Sequence, residues 1–381
     1  MSSELEKQCL LCERNISTKT DSREHIIPNS IGGRKKVSGF LCVNCNTKSG
    51  DEWESEIARQ MNPLSLFFRI KRERGNVPSQ KLKTISGSEW VLNANGSMKL
   101  PKPIFKKQQD ETGVKIHISA RDMPEARKML KNISQKYHQL DTEEMLKKAK
   151  IQSTYLQEPI EFNLSFGGLD AGRSFVKTVL ALLSTTDANV RDCDHAMEFL
   201  KKEVAEPCFG YYYEKDLVSV RPAGIPVHCI HVNGDPESKL IRGYVEYFGV
   251  MRVVMCLSSN YSGSAFSATY AIDPTKGKEL NLSVDLDLAL TDIRKAYNNE
   301  KWDGKAVQQA LDAVIGPTLK KQHEEKRDRV SNKAVQYAFS NCGAKEGDMI
   351  TEEQRNRLTG LLWEELEPWF LNQIISERQH N

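Results

Sequence analysis

Long apolar runs are missing: nowhere in the 381 residues do 18 consecutive apolar side chains occur, which leaves no segment suited to crossing a bilayer as a helix. The amino terminus, Met1 to Lys7, is polar and has none of the apolar core of a secretory signal. Internal repeats and long low-complexity tracts are absent, so solenoid and array architectures are excluded. There is no disulfide framework: Cys193, Cys208, Cys229, Cys256 and Cys342 are scattered, and a reducing, cytoplasmic setting without a membrane partner is expected. Net charge is also scarce, at +3. With 39% hydrophobic residues, the chain has enough apolar material for two or three domains with a proper core.

The small net charge conceals an asymmetry. Residues 1–150 hold 28 Lys and Arg against 18 Asp and Glu, a balance of +10, and the remainder stands at −7. The basic half contains the most informative stretch of the chain: Cys9-x-x-Cys12, Glu24-His25-Ile26-Ile27-Pro28, Gly32-Gly33 and Cys42-x-x-Cys45-Asn46. Two Cys-x-x-Cys pairs at this separation match the spacing of two thiolate knuckles closing a tetrahedral, structural zinc site. A segment of about 50 residues buries too little to fold on apolar contacts alone, so zinc is expected to supply much of its stability.

Within the bracketed loop, residues 23–28 read as a short strand ended by Pro28, Gly32-Gly33 as a turn, and Val37 to Leu41 as a returning strand. Cys42 to Lys48 and Asp51 to Met61 read as helical, with Trp53, Ile57 and Met61 forming one apolar stripe. The order is strand, strand, helix.

Over residues 7–62 this pattern resembles the HNH endonuclease family, in the subgroup whose ββα-metal finger is held by two Cys-x-x-Cys knuckles. The resemblance implies that His25 is the general base, that Glu24 and Asn46 hold a catalytic Mg²⁺ or Mn²⁺, and that Cys9, Cys12, Cys42 and Cys45 hold structural Zn²⁺. Val37, followed by Ser38, stands where many members of the family it resembles have an Asn that ties the loop. The chemistry is consistent with these residue types, because histidine titrates near neutrality and a hard divalent ion prefers oxygen donors. DNA is the expected substrate, with 5′-phosphate and 3′-hydroxyl products, and roles in restriction or antiphage defence are what the resemblance suggests. Arg34, Lys35 and Lys36 on the hairpin turn, Lys48, and Arg69, Lys71, Arg72 and Arg74 after the finger are the expected phosphate contacts.

The expected fold class is α+β: residues 1–75 form the zinc-stapled nuclease finger, 76–150 a basic connector with β and helical segments, and 151–381 a mixed domain with an antiparallel sheet and a helical carboxyl end. In the connector, residues 89–92, 98–100 and 112–120 alternate as strands, and 123–150 reads as helix broken near 139–142. Ile160 to Phe166 reads as a strand and Ala171 to Ser184 as an amphipathic helix. Gly167 to Ser174 nearly spells a phosphate-binding loop, but Arg173 stands where Lys is needed, so a glycine turn is expected. Strands are expected over residues 227–232, 240–247, 251–257, 265–272 and 280–284. His228 and His231, three apart on a strand, point to opposite faces and are expected to serve the core. Residues 192–195 read as a polar helix cap. Trp363, Leu366, Trp369, Phe370 and Ile374 give the last helix an apolar face, for its own domain or for a homodimer.

Two rival readings accompany the nuclease. One is a zinc-stabilised module that binds nucleic acid without cutting it. The other keeps cleavage but gates it through a regulatory ligand or partner protein bound to residues 151–381.

Overall fold

The computed structural model describes residues 7–110, 113–138, 140–150, 155–156, 158–347 and 349–380. The fold is α+β with antiparallel sheets and long helices toward the carboxyl end. The chain divides into two compact units, Met1–Ser79 with Asn93–Gly96 and Asn163–Leu319, and Gln80–Leu92 with Ser97–Phe162 and Lys320–Asn381.

The first unit is organised by a six-stranded antiparallel sheet in the order Lys278–Leu280, Phe266–Asp273, His228–Asp235, Leu240–Tyr247, Met251–Ser258, Phe209–Tyr211. Every residue of Leu240–Tyr247 is buried. Such a strand has both faces covered, which is why its sequence is not cleanly alternating. On one face lies the helix Leu169–Leu183: Val179 approaches the sheet at Gly243, and the Phe175 ring meets Tyr247 and Phe209 edge-on. The opposite face is closed by Leu286, Leu288, Ile293 and Ala296 over Tyr244, Val254 and Cys256. Fully buried Glu246 on that face is paired with Arg221 and accepts the Tyr244 hydroxyl at 2.6 Å.

The finger packs on the same sheet face as the Leu169–Leu183 helix. His228 Nε2 donates to the Ile31 carbonyl at 2.8 Å, while its Nδ1 accepts the Phe248 amide at 3.0 Å. His231 faces the other way and bonds Thr269 Oγ1 at 2.8 Å, so the two histidines do serve opposite faces. The segment resembling a phosphate loop is a helix start, with Gly168 at φ +90° and Arg173 donating to the Lys202 carbonyl at 2.8 Å.

Several local expectations change in detail. The returning strand of the finger is Lys36–Val37 rather than 37–41, because Ser38 to Leu41 turn toward the second knuckle. Helix does not stop at Lys48: Val43–Ser49 runs through a π turn, Gly50–Glu54, into Ser55–Phe67. Trp53, Ile57 and Met61 are all buried, as their spacing requires. Only Ile160–Glu161 of the expected 160–166 strand pairs, and the expected 280–284 strand is divided between Lys278–Leu280 and Ser283–Val284. At Asp194–Lys201 the N-cap is Cys193, with no side-chain cap from the neighbouring aspartates.

The second unit contains a four-stranded antiparallel sheet in the order Met98–Lys99, Glu89–Leu92, Gln80–Thr84, Ile160–Glu161, and a separate hairpin of Ile104–Asp110 with Gly113–Ser119. The helix expected over 123–150 is broken, as its sequence predicts, into Met123–Ser134 and Thr142–Lys147, with the break starting earlier, after Ser134; residue 139 of the expected break near 139–142 lies outside the described residues, as does residue 112 of the expected 112–120 strand. Asp122 and Asp141 start these helices by accepting backbone amides of their first turns. The helix Glu352–His380 and residues 320–341 of the helix Gly304–Asn341 complete the unit, and Lys333 pairs with Glu365 at 2.7 Å. Trp363, Phe370 and Ile374 are exposed on this chain.

Candidate active site

The four finger cysteines converge as the spacing predicts. Their sulfurs all lie within 4.8 Å of one another, and Cys12 Sγ is 3.7 Å from Cys42 Sγ. A tetrahedron of thiolates around zinc has edges of about 3.8 Å, so the donor type and span fit this ion. Burial works against the Cys9 thiolate, but bonds from the backbone at Cys12, Cys42 and Leu11 outweigh it and bring the thiol down to about 7. The loop-tying function expected of an Asn is met differently here: Asp21 Oδ1 accepts the Gly39 amide at 2.7 Å and Ser22 Oγ donates to the Leu41 carbonyl at 2.7 Å.

Glu24 and His25 occupy the first strand, opposite Val37 and Lys36 respectively. Consecutive residues of a strand project to opposite sides. The hairpin is closed by two glycines with different requirements. Gly32 has φ +99°, and a Cβ on Gly33 would lie 1.7 Å from the Ile27 carbonyl oxygen, so no side chain fits at Gly33.

His25 Nε2 makes a 2.7 Å bond to Glu73 Oε2, and Lys36 Nζ reaches the same carboxylate at 2.8 Å. Neither sequence motif nor spacing singled out Glu73; the available signal was its position as the one acid in the basic run 69–74. The structure explains how it arrives. Asn29 Oδ1 accepts the Glu73 amide at 3.0 Å, Arg72 Nε donates to the Ser30 carbonyl at 2.9 Å, and Arg34 Nη2 donates to the Lys71 carbonyl at 2.8 Å. These bonds lace the segment 71–74 across the hairpin. With Lys36 and His25 against it, the Glu73 carboxyl is held down at about 2. His25 lies below its ordinary range, chiefly through burial, with the Glu73 bond pulling in the opposite direction.

On the other side of the strand, Glu24 is buried and contacts the ammonium of Lys177, from the helix Leu169–Leu183, at 2.6 Å. Glu54, in the π turn, pairs with the same ammonium, and Ser49 Oγ lies 3.4 Å from it. Burial opposes the charge on Lys177, but Glu54 and Glu24 outweigh it and raise its affinity for the proton; burial also pushes the Glu24 carboxyl up while Lys177 pulls against it. Asn46 is half-buried on the helix Val43–Ser49, four residues after Cys42, whose carbonyl accepts its amide. The carboxylate and amide oxygens of Glu24 and Asn46 are the donor types a hard divalent cation takes.

The expected phosphate contacts separate into two groups. Lys35, Lys48, Lys71 and Arg74 are exposed. Arg34 and Arg72 are half-buried, with their guanidinium groups bonded to backbone carbonyls, and Lys36 is paired with Glu73. Arg69, also half-buried, sits in a left-handed turn at φ +52°.

The arrangement therefore combines a four-thiol staple, a histidine oriented by a carboxylate at the surface, and an acid held from behind by a buried lysine. Among the described residues no helix is long and apolar enough to cross a membrane. Residues 9–62 match the family model of the HNH endonuclease. No curated protein and no solved structure matches the chain.

Proposed function

Taking residues 9–62 as an HNH endonuclease finger, we propose that the protein is a metal-dependent endonuclease that hydrolyses DNA phosphodiester bonds. The observation that carries this reading is the His25–Glu73 pair. A carboxylate accepting from Nε2 stabilises the tautomer with its proton there, which leaves Nδ1 with a lone pair for a water proton. The downward displacement of His25 keeps the ring neutral, and so basic, at neutral pH. Lys36 limits the negative charge that Glu73 presents near an incoming phosphate.

Glu24 and Asn46 would hold the catalytic Mg²⁺ or Mn²⁺, which when bound supplies positive charge to the scissile phosphate and the departing 3′ oxygen. Cys9, Cys12, Cys42 and Cys45 would hold zinc and keep the hairpin and helix together. Lys35, Lys48, Lys71 and Arg74 are the exposed cations best suited to flanking phosphates. A cytoplasmic setting is supported by the five further cysteines, all buried and unpaired.

The test is supercoiled-plasmid cleavage by the full chain and by His25→Ala, each with Mg²⁺, Mn²⁺ or EDTA. Metal-dependent nicking or linearisation should fall by about 10²-fold or more in the variant, with zinc content and melting temperature retained. Cleavage by His25→Ala at the wild-type rate would remove His25 from the mechanism. A folded, zinc-loaded wild type that binds DNA but never cuts it would favour the binding-only role.

A further inference from the structure

Lys177 belongs to no motif of the finger. It lies in the middle of a helix that packs on the six-stranded sheet, yet its side chain is 1% exposed and its ammonium ends between Glu24 and Glu54. A buried lysine between two carboxylates is poor structural economy. Desolvating the charges consumes most of what their attraction returns, and apolar replacements of such groups are often as stable. The feature is better explained by where it ends, on the acid directly before the proposed base.

We propose that Lys177 is a positioning residue that serves as the resident counter-ion of Glu24 and sets how strongly the site takes a divalent cation. The inference rests on the reading of Glu24 as a metal ligand given above. The second carboxylate is what makes an exchange feasible. When Glu24 turns its charge to a divalent ion, the Lys177 ammonium keeps Glu54, and no buried charge is stranded. Ser49 Oγ offers the ammonium a further acceptor beside Glu54. The helix carrying Lys177 also contributes Phe175 and Val179 to the sheet contact. Metal affinity at the finger thus depends on a residue 153 positions from Glu24, in a part of the chain outside the nuclease module.

Charge gives the two partners opposite effects. Removing the ammonium in Lys177→Met leaves two carboxylates with no cation, and Mn²⁺ should bind more tightly by about tenfold or more. Removing the second carboxylate in Glu54→Gln commits the ammonium to Glu24, and Mn²⁺ should bind more weakly by a similar factor. A purely structural role for Lys177 would lower stability in both variants without this opposition of sign.

The experiment is Mn²⁺ binding followed by electron paramagnetic resonance of the free ion, on the zinc-loaded full chain, for wild type, Lys177→Met, Glu54→Gln and Glu24→Gln. Tighter binding in Lys177→Met with weaker binding in Glu54→Gln, both abolished by Glu24→Gln, supports the proposal. Binding that depends on Glu24 but is unchanged or weaker in Lys177→Met overturns it while leaving the metal reading intact. If Lys177→Met fails to fold, Glu54→Gln decides the matter, and equal or tighter binding there overturns the proposal. Mn²⁺ binding indifferent to Glu24→Gln overturns both the proposal and the metal reading.

Discussion

His25 Nε2 lies 2.7 Å from Glu73 Oε2, across 48 residues of sequence. The pair gives a histidine that the motif marks only as present a fixed partner and direction. Glu73 reaches it because Asn29, three residues after the Ile26 that follows His25, captures the backbone at Glu73 and Arg74. The hairpin therefore builds the binding site for its own orienting carboxylate.

Glu73→Gln should separate orientation from proton affinity. The Glu73 bond raises the pKa of His25, while burial is the larger influence and lowers it. As the proposed base, His25 must be neutral to act, so cleavage should fall as pH drops through its pKa. Without Glu73 that pKa moves further down, and the acidic limb of the pH–rate profile should shift to lower pH. The plateau rate should fall by about tenfold as the ring loses its orienting partner. A rate profile with its acidic limb shifted upward, or unshifted, would contradict the pairing.

His228 predicts a pH-dependent stability unrelated to catalysis. Its ring is fully buried, and burial lowers its pKa from 6.5 to about 4. A folded-state value below the unfolded one means that stability is fully present above pH 6.5 and is lost as pH falls toward 4, because the unfolded chain takes up the proton first. The loss over that window amounts to about 3 kcal/mol for this group. His231, also brought down to about 4 by burial, adds to the same slope. In urea titrations, His228→Gln should be less stable than wild type at pH 7.5, and the gap should narrow at pH 4.5. A constant gap across that range would show that His228 does not carry the slope.

Neighbouring cations in the 69–74 run should behave differently when removed. Arg74 is exposed, whereas Arg72 holds the Ser30 and Asn76 carbonyls. Arg74→Ala, and likewise Lys35→Ala, should weaken DNA binding at any sequence and reduce the slope of log affinity against log salt by about 1. Arg72→Ala should lower the melting temperature and cleavage together while leaving the salt slope near its wild-type value. The measurement is fluorescence anisotropy on a labelled duplex at several salt concentrations, and an unchanged slope for Arg74→Ala would remove that residue from the DNA contacts.

What could be read from the chain was local. Four thiols at knuckle spacing, the Trp53, Ile57 and Met61 stripe, and the paired glycines each state their structural role within a few residues, because metal geometry, helix period and turn sterics act over short distances. The strand Leu240–Tyr247 has the bounds its sequence pattern predicts, whereas only two residues of 160–166 find a pairing partner. Extended propensity invites a ladder but does not supply the neighbour.

The sequence by itself determined the four-thiol staple and the hairpin-and-helix order of residues 9–62, and its motif marked Glu24, His25 and Asn46 as the candidates proposed above. Only the tertiary structure decided what those residues touch. Glu73 comes to His25 over 48 positions and Lys177 to Glu24 over 153. Neither distance has a period, and an isolated acid or lysine looks the same in sequence whether it faces water or is buried against an opposite charge. Packing decides between those environments, since it sets which charges lose their solvent and must find one another.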